Sequence, residues 1–444
     1  MEICALKWYY SYIMRILQNE TDKKENKLHE IRTDDRERAV IAVADCGEYD
    51  VDASIDELRA LCDTAGADVL AEIVQRREKP DGKTYLGAGK LAEARELCDR
   101  LGAELLIVDS ELTGVQLKSI EDAVGVDVVD RTTLILDIFA RAAVTAEGKL
   151  QVELAQLEYR LPRLMGARRE LSRLGGGIGT RGPGESKLET DRRYIRERMR
   201  ILKERLAALD KRREQTRRSR QKSEIPTVAL AGYTNVGKSS LLNALTGAEV
   251  LAQDKLFATL DPTSRRLSVG DLQNVVLTDT VGFVSRLPHS LVEAFRSTLE
   301  EIKYADLILL VADASSGEWA QQLEVARDTI SQLGCGDIPT VQVFNKCDLI
   351  DTASALPGIA VSAKTGEGLE ELTSIISRKL SEKVIRCELL LPYSKAGLAA
   401  FIREHGNIQT EQYREDGVLI TATVERAAYA KIEPFVVRPD SDKD

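Results

Sequence analysis

From residue 38 to residue 135, short apolar runs alternate with segments of helical spacing. Residues 39–43, 67–73, 103–108 and 126–129 read as strands. Residues 55–64, 90–101 and 114–124 read as helices, with Ser54 placed to cap the first. That alternation predicts a small parallel-sheet α/β domain over 38–135. The period then changes. Leu150, Leu154, Leu157, Leu161 and Leu164 step by 4, 3, 4 and 3, and Ile195, Met199, Leu202, Leu206 and Leu209 repeat those steps. A seam repeating about every 3.5 residues in two segments predicts an antiparallel coiled-coil hairpin within 136–224. Pro162 should kink or end its first helix. The connection, Gly175-Gly176-Gly177-Ile178-Gly179-Thr180-Arg181-Gly182-Pro183-Gly184, exceeds what a helical hairpin needs and reads as functional or mobile.

Residues 225–382 return to the strand–helix alternation, with strands at 228–231, 274–278, 340–344 and 358–361 and helices at 239–245 and 369–380. A compact α+β tail follows over 383–438: a strand at 385–392, a helix at 396–404, a hairpin of 408–414 with 418–424 turning at Glu415-Asp416-Gly417, and a helix at 427–432. Residues 1–37 and 439–444 read as an extension and a tail outside these domains, the extension expected to be poorly ordered. Residues 4–17 are apolar but hold Lys7 and Arg15 and are too short for a spanning helix; no secretion-type cleavage site follows, and Met14 offers an alternative start.

The chemistry sits where strand 228–231 meets helix 239–245. Gly232-Tyr233-Thr234-Asn235-Val236-Gly237-Lys238-Ser239 fits G-x-x-x-x-G-K-[ST], a loop whose backbone N–H groups close around phosphate oxygens at a helix N-terminus, with Ser240 following. Lys238 should reach the β- and γ-phosphates, and the Ser239 hydroxyl should ligate Mg²⁺. Strand 274–278 ends in Asp279-Thr280-Val281-Gly282, placing a carboxylate for Mg²⁺ and the Gly282 N–H for the γ-phosphate. Strand 340–344 ends in Asn345-Lys346-Cys347-Asp348, whose Asp348 carboxylate matches the N1–H and 2-amino edge of guanine; Ser362-Ala363-Lys364 supplies an N–H, that of Ala363, for guanine O6. Between the phosphate loop and Asp279, Phe257-Ala258-Thr259-Leu260-Asp261-Pro262-Thr263 should place Phe257 at the nucleotide and close on Mg²⁺ through Thr259, with Thr263 as the alternative. The expected ligands are therefore GTP and Mg²⁺, and the expected reaction is GTP hydrolysis carried by Lys238, Gly282 and Thr259. Phe283 stands where many GTPases carry a water-orienting glutamine. It reads either as a packed switch residue or as the mark of a slow enzyme that needs a partner. Gly87-Ala88-Gly89-Lys90 reads as an ordinary helix start rather than a second nucleotide site.

Charge changes the picture for one region. The 444 residues carry a net charge of −10, yet residues 192–222 hold 14 Lys and Arg against 4 Asp and Glu. With Arg168, Arg169, Arg173, Arg181 and Lys187 near the connection, the hairpin reads as an arm for phosphate backbones. Few aromatics lie there, so folded RNA read by shape fits better than single strands stacked on rings. An RNA-remodelling factor and a signalling module whose arm binds a protein or an anionic membrane surface use the same features. Seven scattered cysteines without a Cys-x-x-Cys pair point to a reducing cytosol, and three dispersed histidines argue against a histidine metal site. No membrane insertion is expected, and the chain is expected to act as a monomer.

Several strings are more specific than the nucleotide motifs. Residues Asp130-Arg131-Thr132-Thr133-Leu134-Ile135-Leu136-Asp137-Ile138-Phe139, Glu147-Gly148-Lys149-Leu150-Gln151-Val152-Glu153-Leu154-Ala155-Gln156-Leu157, Gly179-Thr180-Arg181-Gly182-Pro183-Gly184-Glu185 and Leu188-Glu189-Thr190-Asp191-Arg192-Arg193 resemble the HflX family. The resemblance covers roughly residues 38–435. It implies a P-loop GTPase domain preceded by a small parallel α/β domain and a coiled-coil hairpin and followed by a small α+β domain. It also implies a ribosome-associated GTPase that binds the large (50S) subunit and its rRNA, enters it near the catalytic centre with the hairpin tip, and splits or rescues stalled ribosomes.

Overall fold

The first sheet orders its strands β2-β1-β3-β4, from Ala67–Arg76, Glu37–Asp45, Leu105–Val108 and Asp127–Asp130. β1 and β3 pair in parallel, as do β3 and β4, with Ile41 opposite Ile107 and Leu106 opposite Val128. The computed structural model describes residues 36–174, 183–222, 225–247, 256, 257, 260, 262–269, 272–286, 288, 291, 301–351, 356–381, 384–395 and 397–437. Helices α1 (Val51–Ala65), α2 (Ala88–Leu101) and α3 (Gly114–Val124) connect the strands, and α4 (Arg131–Ala142) follows β4 without a break, past the domain limit expected at 135. Ser54 does not cap α1. The Asp50 carboxylate accepts the Asp52 and Ala53 N–H groups instead, because a cap must precede the first helical turn, and Ser54 lies inside it.

Two long helices come next, α5 (Ala146–Leu174) and α6 (Pro183–Lys222). They touch through Arg198, which forks onto Glu153 at 2.6 and 2.9 Å, and through Lys203 to Glu158 at 2.8 Å. Contacts so far apart in sequence require α6 to return alongside α5. A parallel arrangement would ask the short connection to span about 40 Å, more than about nine residue steps can reach. Along α6 the predicted seam is the shielded side: Ile195 and Leu202 are buried, and Met199, Leu206 and Leu209 are half-buried. α5 is shielded on more sides, with Gln151, Val152, Leu154, Ala155, Gln156 and Tyr159 all buried, because it also packs on α3 and α4. Pro162 lies inside α5 and does not end it. The missing N–H costs a helix interior about 3 kcal/mol, and the flanking Tyr159 and Arg163 offset this by bonding a buried carboxylate, Asp130. Pro183 and Gly184, expected in the connection, begin α6, while Arg168, Arg169 and Arg173 lie within α5; residues 175–182, including Arg181, fall outside the described residues.

The second sheet is six-stranded, β10-β9-β8-β5-β7-β6, from Ile359–Ala360, Thr340–Asn345, Leu307–Asp313, Thr227–Gly232, Leu272–Asp279 and Thr263–Val269. All its pairs are parallel except β6 with β7. α7 (Lys238–Thr246), α8 (Trp319–Gln332) and α9 (Leu369–Ser381) accompany it. β8 is the central strand that the sequence reading passed over, although Leu307-Ile308-Leu309-Leu310-Val311 is the continuous apolar run of a strand buried on both faces. The last domain is an antiparallel sheet ordered β11-β13-β12 (Val384–Leu391, Gly417–Glu425, Gly406–Arg414), with α10 (Gly397–His405) and α11 (Arg426–Ile432) completing its core.

One apolar cluster runs through both α/β domains. Ile41, Leu58, Ile135 and Phe139 from the first are continuous with Phe257, Leu260, Phe283 and Val284 from the second. Phe139 and Phe257 meet edge to face, centroids 4.6 Å apart.

Candidate functional site

The end of β5 turns at Gly232, and α7 starts at Lys238, capped by Gly237. The loop between holds Tyr233, Thr234, Asn235 and Val236, with Asn235 exposed and left-handed (φ 62°). The Lys238 ammonium is buried and donates to the carbonyls of Tyr233 (2.7 Å) and Gly232 (3.2 Å). Burial pushes its pKa down to about 8, against the opposing pull of Asp279. Ser239 donates its hydroxyl to Asp279 at 2.6 Å, with Ser240 one residue on. A hydroxyl and a carboxylate oxygen this close, at a helix N-terminus, are the hard donors that suit Mg²⁺. Thr259 lies outside the described residues; Thr263 opens β6, paired with Asp279.

At the base end, Asn345 donates to the Val236 carbonyl (2.9 Å) and accepts the Ala363 N–H (3.0 Å). Ser362 donates to Asp348 at 2.7 Å, and its own N–H meets Glu367. The Lys346 ammonium pairs with Asp313 at 2.7 Å from a left-handed backbone (φ 64°), and Lys364 is exposed beside Ala363. The Ala363 N–H, expected to face guanine O6, donates to Asn345 Oδ1.

At the phosphate end, Gly282 lies against the loop. A Cβ there would come within 2.8 Å of Thr234 Cα and 2.9 Å of Lys238 Nζ. The Thr234 N–H donates to Phe283 O (2.7 Å), and the Phe283 N–H donates to Gly232 O (3.0 Å). Phe283 is only 2% exposed, with its ring packed in the shared apolar cluster. Phe257, expected at the nucleotide, turns its ring toward Phe139 instead, because an apolar ring gains more from the shared core than beside phosphates.

The groups behind this end belong to no nucleotide motif in the sequence. Glu57 of α1 accepts the Tyr233 hydroxyl and both the N–H and the hydroxyl of Ser285. Arg131, only 3% exposed, bonds Glu57 (2.7 Å), Asp109 (2.9 Å) and the Ser285 carbonyl (3.1 Å). Arg286 reaches Asp109 (2.7 Å) and Ser54, and its guanidinium covers the Tyr49 ring at 3.9 Å. Ser54 donates to Asp109 at 2.6 Å. A signal existed: Asp109 follows β3 and Asp130 ends the adjacent parallel β4, where carboxyl-end crevices gather functional groups. Beside this network, Tyr49, Glu57, Asn235, Arg286 and Gln322 help line a cavity of about 390 Å³.

Elsewhere, Gly87 starts α2, and Lys90 is held by Glu93 at 2.8 Å. On the arm, Arg192, Arg198, Arg200 and Lys203 pair with acids of the hairpin itself, so part of its positive charge is compensated locally. The six described cysteines are free thiols. No described helix is long and apolar enough to cross a membrane.

Four family models match the chain in order: "GTP-binding GTPase N-terminal" at residues 52–140, "GTP-binding GTPase Middle Region" at 142–220, "50S ribosome-binding GTPase" at 227–346 and "HflX C-terminal domain" at 349–432. Among similar proteins, a GTPase HflX of Caldanaerobacter subterraneus subsp. tengcongensis is 47% identical over 405 residues, spanning 91% of this chain and 94% of its own. The GTPase HflX of Escherichia coli (strain K12) is 42% identical over 372 residues, 82% and 87% of the two chains. A crystal structure of a GTP-binding protein from Sulfolobus solfataricus in complex with GDP is 24% identical and spans 78% of this chain and 99% of its own, with a TM-score of 0.42.

Proposed function

Because the chain belongs to the HflX family of GTPases, we propose that it docks on the large (50S) ribosomal subunit through rRNA and uses GTP hydrolysis to split or rescue stalled ribosomes. The chain binds and hydrolyses GTP. The observation that carries the ribosomal reading is the match of residues 227–346 to a 50S ribosome-binding GTPase, joined to a long basic helical arm. Phosphate contacts by such an arm supply affinity without reading base sequence.

Each group then has a task. Lys238 and the loop amides hold the phosphates, and Asp348 with Ser362 behind it selects guanine. Ser239, Asp279 and a threonine of 259–263 would hold Mg²⁺, which when bound neutralises phosphate charge. Phe283 cannot orient water, so the free enzyme is slow and the partner completes the site. The chain works in the cytoplasm as a monomer, with the arm free to approach RNA.

GTP turnover with and without purified 50S subunits tests this. The expected stimulation is at least about tenfold, roughly 1.4 kcal/mol of barrier. Replacing Arg168, Arg169, Arg173 and Arg181 with Gln should weaken 50S binding and flatten its salt dependence while leaving GTP affinity unchanged. A free enzyme as fast as the 50S-bound one would sink the reading. Co-sedimentation with bulk RNA in place of 50S particles would point to an RNA-remodelling factor instead.

A further inference from the structure

Asp130 and Arg131, at the junction of β4 and α4, face two different parts of the molecule. Asp130 is fully buried, and its Oδ2 accepts the Tyr159 hydroxyl (2.5 Å), Arg163 Nη2 (2.5 Å) and the Leu112 N–H (3.0 Å). Tyr159 and Arg163 belong to α5, the first helix of the arm, and Arg163 covers the Tyr159 ring at 3.4 Å. The next residue, Arg131, holds Glu57, Asp109 and the Ser285 carbonyl. Ser285 lies three residues beyond Gly282. The contacts of Gly282 and Phe283 with Thr234 and Lys238 occupy the ground where Lys238 and the Gly282 N–H would together hold a γ-phosphate. A γ-phosphate held by both groups would part them, and Ser285 is close enough in the chain to follow a shift at Gly282. The Glu57 and Asp109 carboxylates keep the Arg131 charge paired, but a carbonyl drawn away leaves a guanidinium N–H without that acceptor at a site only 3% exposed, so Arg131 moves with it or gives up the bond.

We propose that the Asp130-Arg131 pair is a relay that couples the γ-phosphate state of the switch segment 282–286 to the seating of the arm on the first domain. The proposal rests on the reading of α5 and α6 as the docking element, though not on the identity of its partner. The two arrangements differ in whether Ser285 remains on Arg131 and Glu57, and through α4 in how Asp130 holds Tyr159 and Arg163. By reciprocity, loosening the arm's grip must alter preference for the triphosphate.

The test uses the full-length protein without ribosomes, titrated with fluorescent GDP and with a fluorescent non-hydrolysable GTP analogue. Arg163→Gln and Tyr159→Phe touch neither nucleotide nor phosphate loop. Each is expected to change the ratio of the two affinities by at least about threefold, and Arg163→Lys to restore part of it. Combined with Ser285→Ala, Arg163→Gln should show non-additive effects on that ratio. Unchanged ratios with additive effects would overturn the relay. Should the variants fail to fold, hydrogen exchange of the wild-type protein decides. Amides of residues 156–161 and 163 should exchange differently with GDP and with the analogue, and identical exchange rejects the proposal. Sedimentation with 50S particles, run separately, fails only if the ribosomal reading fails, so the two losses are distinguishable.

Discussion

The base end of the nucleotide site takes all its groups from one domain, whereas the phosphate end is finished by another. Asn345, Asp348, Ser362 and Ala363 bond one another within a few residues of two strand ends. Tyr233, Ser285 and Arg286 are instead held by Glu57, Asp109 and Arg131, far earlier in the chain. Guanine is common to GTP and GDP, so its recognition needs no outside information. The γ-phosphate is what hydrolysis removes, and the first domain holds the end of the site where it would lie.

If the comparison is right, substitutions should sort by end. The largest effect is expected from Lys238→Ala, which should lower turnover by at least about a hundredfold. Its melting temperature without nucleotide should not fall, because a buried ammonium is removed; a large fall would mean that the lysine mainly supports the fold. Asp348→Asn should weaken GTP by roughly a hundredfold, about 2.7 kcal/mol for two hydrogen bonds to a carboxylate. The same variant should gain xanthosine triphosphate, whose 2-oxo group accepts from asparagine. A labelled-nucleotide titration showing unchanged GTP affinity would take Asp348 out of the site.

Smaller effects separate the ends more finely. Lys238 has a pKa of about 8 when no phosphate faces it, below the ordinary 10.5. Between those values the unfolded chain binds the extra proton, so the fold gains stability as pH rises. Phosphate binding runs the other way, because it favours the charged lysine. GTP affinity should therefore fall by up to about tenfold per pH unit above about 8. Calorimetry should show proton uptake on binding there, and flat affinity to pH 9 would contradict the shift. The smallest effect is expected from Glu57→Gln, a change of a few-fold in the ratio of GTP to GDP affinity, with guanine-over-xanthine choice untouched. Were base selectivity to move with it, the two ends would not be separate.

The same division explains what could be read from sequence. The base end is legible because Asn345-Lys346-Cys347-Asp348 and Ser362-Ala363-Lys364 follow the ends of adjacent strands, and each string is a short contiguous motif. The clamp is not legible in that way. Glu57 on an amphipathic helix has the pattern of a solvated charge, and only the packing of α1 on the phosphate loop gives it partners. Asp130 and Arg131 stood inside a string that marked the family, yet their opposite directions depend on tertiary structure. β8 was missed for a different reason. A buried parallel strand has no alternation to betray it, and no motif residue drew attention to its end. Phe257 followed a motif position, and the shared apolar cluster claimed its ring.

Gly114, at the start of α3, lies against the backbone of Arg163; a Cβ there would sit 2.6 Å from the Arg163 carbonyl oxygen. The contact is a fulcrum. Beyond Arg163 the helix runs on to Leu174, about 16 Å at 1.5 Å per residue. A small rotation about such a pivot displaces the far end of a rigid helix more than the atoms near the contact. A methyl group added at residue 114 would press on the Arg163 backbone, and a tilt of α5 about that point would carry Leu174 farther than it moved the contact itself.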